Sequence, residues 1–189
     1  VDAIPYDSNN TAYVYLSGDA ERTETLEIKN GYTLYLCLNG YSLTKTTEDR
    51  NPGFEGVITI YQGAQFTLCD CKGGGKITHA AGKLGRGVRC GGSSSGSATF
   101  AMFGGEISGN HAGTSDVGQD GAGVEVHSGK FILYSGRIAD NHVEKVSNDG
   151  GGGVYAHGSG SFTMNGGEIS GNTSAGDGGG VSAVGASFT

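Results

Sequence analysis

The chain has 189 residues, 38 of them glycine, with only two prolines, no tryptophan and a formal net charge of -7. That charge argues against nucleic acid as a partner, since phosphate binding needs a basic patch. A collagen reading fails for want of a three-residue glycine period, and no apolar run approaches the ~20 residues that span a bilayer.

Val, Ile, Leu and Phe recur at alternating positions that can be buried, which argues against disorder and makes the glycines turn residues between short strands. Residues 1–23 are polar and irregular apart from one apolar run, Ala12 to Leu16. They are expected to form an N-terminal cap or edge strand, and they lack the basic-then-apolar pattern of a signal peptide. The next segment places Leu26 and Ile28 in a first strand, Leu34, Leu36 and Leu38 in a second and Leu43 in a third. Asn30-Gly31 and Asn39-Gly40 mark the turns between them.

From there the chain repeats itself. Phe100 to Asn110 reads FAMFGGEISGN, Phe131 to Asn141 reads FILYSGRIADN, and Phe162 to Asn172 reads FTMNGGEISGN. Phe66 opens a version with a longer turn, and Phe188 begins another. A Gly-Val pair precedes each phenylalanine, at 56, 87, 123, 153 and 180, and opens a short alternating run. One unit of roughly thirty residues therefore holds three short strands, too small to bury anything alone.

Stacking the units solves that problem, because each strand then pairs with its copy in the neighbouring coil. Leu68, Met102, Leu133 and Met164 would form one inward column, and Ile77, Ile107, Ile138 and Ile169 another. The pattern predicts an all-β chain: a right-handed single-stranded parallel β-helix, or solenoid, of about five to six coils over residues 24–189. The C-terminal coil is unfinished at Phe188-Thr189, which predicts a fragment of a longer protein with an open strand edge. Asn110, Asn141 and Asn172 are expected to form a hydrogen-bonded amide ladder at a bend.

The segments LCLNGYSLT, LCDCKGGGKIT and GGGV…FTMNGGEISGN resemble the right-handed parallel β-helix repeats of Firmicutes-type bacterial surface proteins, in the pectate-lyase-like superfamily. The resemblance covers about residues 24 to 189. It implies a bacterial protein, secreted or held at the cell surface, with an adhesive or structural role, and it cannot supply a ligand.

Four residue sets are candidates for chemistry. Cys37 and Cys69 align in adjacent coils, within reach of a disulfide, which leaves Cys71 and Cys90 as a second pair. Tyr32, Tyr35, Tyr41 and Tyr61 cluster in the first coils, where outward rings could stack on glycan. Asp120, Asp149 and Asp177 each precede a glycine-rich run. A calcium ion would neutralise them if they stacked, but the G-G-x-G-x-D calcium repeat is absent and solvated loop carboxylates are the plainer reading. His127 with His157, and His111 with His142, occupy matching positions without an obvious third metal ligand.

Neither a compact Asp-Asp pair nor a Gly-His-Gly with a following Arg-x-Lys is present, and Glu106, Arg137 and Glu168 read as a surface ion-pair column. The expectation is a non-catalytic extracellular scaffold or adhesin, gripping glycan or a host or bacterial surface protein through side loops such as Asn110–Gly121 and Asn141–Gly150, with no membrane insertion and no required cofactor. A polysaccharide lyase or glycoside hydrolase is the alternative, and end-to-end self-association through the open edge is a third.

Overall fold

The computed structural model describes residues 4–49, 55–92, 97–112, 121–144 and 150–189. Among these residues every regular element is a strand, and every strand pairing is parallel, joining a strand to its counterpart one coil away. The chain is a parallel β-solenoid.

The Gly-Val runs build a six-stranded valine sheet from Leu26–Ile28, Ile58–Ile60, Val88–Gly91, Val124–His127, Val154–His157 and Val181–Val184. The phenylalanine runs build a second sheet, ordered Thr11–Tyr15, Thr33–Cys37, Gln65–Cys69, Thr99–Ser108, Lys130–Ala139, Ser161–Met164 and Ser187–Phe188. The coils of Ile58, Val88, Val124 and Val154 have a neighbour on both sides in the valine sheet, whereas those of Leu26 and Val181 form its edges. Counted this way the solenoid has about four turns, not the five to six coils that the spacing predicts; the difference lies in the edge coils.

Three features depart from the sequence pattern. The second and third strands of a coil need not be separate: Thr99–Ser108 and Lys130–Ala139 each run on as one ten-residue strand. The Gly-Gly turn becomes a register shift between Met102 and Glu106, so the strand bends without ending. A further three-stranded strip, His111–Ala112, His142–Val143 and Thr173–Ser174, follows the asparagines. At the N-terminus, Thr11–Tyr15 pairs in register with Thr33–Cys37, and Ala20–Arg22 with Leu43–Lys45, so these residues continue the stack.

Like residues pack on like inside. Phe66, Phe100, Phe131, Phe162 and Phe188 form one stack, with centroid separations of 5.2, 4.6, 4.9 and 5.1 Å. Register places Leu68, Met102, Leu133 and Met164 in a second column. Ile77, Ile107, Ile138 and Ile169 fill a third.

The glycines of the inner Gly-Val pairs, Gly87, Gly123 and Gly153, are dictated by close approach. A Cβ on Gly123 would lie 2.4 Å from the Gly153 carbonyl oxygen, 2.8 Å from Ile138 Cγ2 and 2.9 Å from Asn141 Nδ2. Backbone and a ladder amide cannot withdraw cheaply, so no side chain fits there.

Asn110 Nδ2 donates to Asn141 Oδ1 at 3.0 Å, and Asn141 Nδ2 donates to Asn172 Oδ1 at 2.9 Å, each across 31 residues of chain. The same oxygens accept the backbone N–H groups of Asn110 and Asn141. Toward the N-terminus the column changes chemistry. His79 takes the next place, its backbone N–H and its Nδ1 both 3.1 Å from Asn110 Oδ1. Its Nε2 lies 3.2 Å from Asp49 Oδ1, so both ring nitrogens face acceptor oxygens.

Lys45 stands over His79 in register and reaches Asp49 at 2.7 Å, Thr25 at 2.9 Å and Glu55 at 3.3 Å. Burial raises the pKa of the Asp49 carboxyl, but the bonds from His79 and Lys45 outweigh it and hold the group below the ordinary carboxylate value. A buried lysine, histidine and aspartate thus satisfy one another where the amide ladder stops.

Candidate functional site

Three side-chain groupings stand outside the core. The first is aromatic and lies on the outer surface of the phenylalanine sheet. In the strand Thr11–Tyr15, Ala12 points inward while Tyr13 and Tyr15 are 74 % and 71 % exposed. Tyr13 stacks on Tyr35 of the next coil at 4.7 Å with the planes 6° apart. Two coils further on, Phe103 stacks on Tyr134 at 4.5 Å, also at 6°. Tyr13 and Tyr35 are register partners, and parallel strands hold like positions about 4.8 Å apart, a ring-stacking distance; Phe103 and Tyr134 meet at the register shift, where Phe103 pairs with Ser135.

Of the four tyrosines singled out in the sequence, only Tyr35 joins this surface. Tyr32 packs edge-on against Tyr6 at 4.7 Å beside the core. Tyr41 packs against the core too, with Lys72 Nζ 5.9 Å from its ring. Tyr61 donates its hydroxyl to Glu27 at 2.8 Å. Tyr13 and Tyr15 are signalled by the alternation of A-Y-V-Y-L, the run expected within the N-terminal cap or edge strand, which here is the edge strand Thr11–Tyr15. Phe103 and Tyr134 each follow an inward residue, Met102 and Leu133, which signals an outward side chain.

The second grouping is charged and sits on the outer side of the valine sheet. Thr59, Arg89, Glu125, Tyr155 and Ser182 form one register column pointing away from the core, yet all are buried. Glu125 Oε2 contacts both Arg86 and Arg89, the latter at 3.2 Å, and its Oε1 lies 2.9 Å from His157 Nε2. His127 stacks on His157 at 4.2 Å, and Tyr155 stacks on His157 at 4.6 Å. Glu125, His127 and His157 could in principle share a cation. Two guanidinium groups already neutralise the carboxylate, however, and both its oxygens are engaged.

Burial, the charge of His157 and then those of Arg89 and Arg86 hold the His127 imidazole below its ordinary pKa. The unfolded chain therefore binds this proton first as the pH falls through about 6.5. Folding stability should decline from that pH downward, until the lowered value of the folded state is also passed. Urea midpoints measured between pH 5 and pH 7.5 should show a shallower slope for His127→Gln than for the wild type. Equal slopes would remove His127 from the account.

The third grouping is sulfur. All four cysteines are free thiols, so neither disulfide expected from the sequence is formed. Cys90 is wholly buried in the valine sheet, with its Sγ 3.7 Å from the Lys130 carbonyl oxygen, and burial pushes its pKa up to about 12. Cys71 lies exposed beyond the strand Gln65–Cys69 of the other sheet, so a Cys71–Cys90 pair is ruled out by position. Cys37 and Cys69 are register partners, and the sulfurs of Cys37, Cys69 and Cys71 all lie within 4.8 Å of one another.

Other sequence candidates are scattered. Asp177 is exposed, and Asp120 and Asp149 lie outside the described residues. His111 and His142 meet edge-on at 4.7 Å, with His111 Nε2 3.2 Å from Glu144. Arg137 lies between Glu106 at 3.4 Å and Glu168 at 3.6 Å, along an open groove that also takes in Asp70, Ser135 and glycines 73–75.

The geometry defines a class: a parallel β-solenoid with an outward aromatic surface, a buried charged column and a three-thiol cluster. No protein-family model, curated protein or solved structure matches the chain.

Proposed function

We propose that the chain is a non-catalytic extracellular scaffold or adhesin that binds glycan on the outer surface of its phenylalanine sheet. The observation that carries this reading is the set of flat, solvent-facing rings, Tyr13 on Tyr35 and Phe103 on Tyr134, with Tyr15 beside them. Exposed aromatic rings cost solvation and are of use where a partner covers them. The apolar C–H face of a sugar ring stacks on such rings, and the phenol hydroxyls can bond its rim. The repeat segments' resemblance to Firmicutes-type surface proteins supports a bacterial, secreted or surface-held location.

The test is depletion of the chain from solution by a panel of plant and host polysaccharides, scored together with new reducing ends or unsaturated products. Binding without products is expected, and Tyr35→Ala or Tyr134→Ala should weaken it by about tenfold each, the size of one lost stacking contact. Products that disappear with Glu106→Gln or Glu168→Gln would overturn the proposal and assign catalysis to the groove around Arg137. Binding unchanged in the tyrosine variants would move the contact off this sheet.

A further inference from the structure

Cys69 and Cys71 sit two residues apart, at the end of a strand and in the turn after it. Cys37 comes from the coil before, paired in register with Cys69. Sequence spacing alone shows only a Cys-x-Cys; the third sulfur arrives through the stacking of coils. We propose that Cys37, Cys69 and Cys71 form a three-thiolate site for a soft d10 metal ion, Zn2+ or Cu+, which clamps two adjacent coils together.

The geometry is close to what such an ion requires. Metal–sulfur bonds of about 2.3 Å place thiolates about 3.8 Å apart around a tetrahedral centre and about 4.0 Å apart around a trigonal one. The three sulfurs already lie within 4.8 Å of one another, so each pair must close by no more than about 1 Å. Cys37 and Cys69 are fixed by strands, while Cys71 is exposed at the start of a turn containing Gly73 and Gly74, the part free to adjust.

One sulfur already has a backbone donor. The Cys71 backbone N–H donates to Cys37 Sγ at 3.3 Å, a contact typical of the outer shell of a metal–thiolate centre. Three thiolates held this close repel one another, so the site needs a cation to offset their charge. Asp70 is not a fourth ligand, because its carboxylate accepts the backbone N–H groups of Gly40 at 2.7 Å and Gly75 at 2.8 Å. The fourth position falls to water on Zn2+ and is not needed by trigonal Cu+. An all-sulfur donor set selects these soft ions over calcium or magnesium.

The reduced, metal-free chain should be titrated separately with Zn2+ and, without oxygen, with Cu+, using Cd2+ as a spectroscopic probe. One equivalent should produce an ultraviolet thiolate-to-metal absorption, protect the reactive thiols from alkylation and raise Tm by about 5 °C or more at 100-fold excess over Kd. Cys71→Ser, which changes only an exposed turn, should weaken binding at least tenfold, whereas Cys90→Ala should bind as the wild type does. Saturation by either ion supports the site, and which one binds more tightly decides the geometry. Absence of the absorption with all three ions, or an unaltered titration in Cys71→Ser, would overturn it. Since Cys71 lies outside the ring pairs, its loss should leave glycan binding as it was.

Discussion

Replacing Phe131 with alanine is expected to destabilise the solenoid by about 3–5 kcal/mol, the cost of emptying a large core position. The ring is fully buried and held between Phe100 at 4.6 Å and Phe162 at 4.9 Å. Neither neighbour can collapse into the space, because the strands carrying them are pinned by continuous backbone pairing from Lys130 to Leu133 on both sides. Phe188, by contrast, has one ring neighbour and is half exposed, so Phe188→Ala should cost well under half as much. Urea denaturation of the two variants checks both values. Equal losses would mean that the stack does not act as a chain of neighbour contacts.

Asn141→Ala attacks the other internal column, and its cost comes from what it orphans. Asn141 is fully buried; its Oδ1 accepts from the backbone and the side chain of Asn110, and its Nδ2 donates to Ile107 O and Asn172 Oδ1, both at 2.9 Å. A methyl group takes this partner from the Asn110 backbone N–H and the Ile107 carbonyl in a dry interior, while Asn110 Nδ2 keeps the Ser108 carbonyl and Asn172 Oδ1 keeps the Asn141 backbone N–H. Each stranded group costs about 1–3 kcal/mol, so a loss of about 3 kcal/mol or more is expected. Asn172→Ala should cost less, because that end of the ladder is partly open to solvent. A loss under about 1 kcal/mol at Asn141 would show that water enters the column.

Much of the architecture was legible in the sequence because a solenoid writes each structural position several times. The phenylalanines at 100, 131 and 162 and the asparagines at 110, 141 and 172 keep one spacing, and the Gly-Val pairs mark the opposing sheet. The first coils were harder to read, since Leu34 replaces the marker ring and Lys45 and His79 replace the marker amide. The bent, continuous strands were hidden, because a Gly-Gly pair signals a turn whether the ladder breaks there or only shifts register. The functional surface was least legible. Tyr13 and Tyr35 have no repeat signature in common, and Cys37 meets Cys71 only because coils stack. Pairing Cys71 with Cys90 by elimination failed because the two belong to different sheets.

The asparagine column also has a direction. The amide-to-amide bonds all run one way: Asn110 and Asn141 each donate to the asparagine oxygen of the next coil, while Nδ2 of Asn110, Asn141 and Asn172 also donates to a carbonyl one coil back. The last oxygen of that array is Asn110 Oδ1, against the nitrogens of His79, with the Lys45 ammonium one coil beyond. A further copy of the 31-residue unit inserted between Asn110 and Asn172 meets the same donors and acceptors on both sides and lengthens the array without a mismatch. A copy inserted between Lys45 and His79 would separate a charged terminus from the partners that neutralise it. The asparagine column can therefore lengthen by duplication in the C-terminal half, but not between Lys45 and His79.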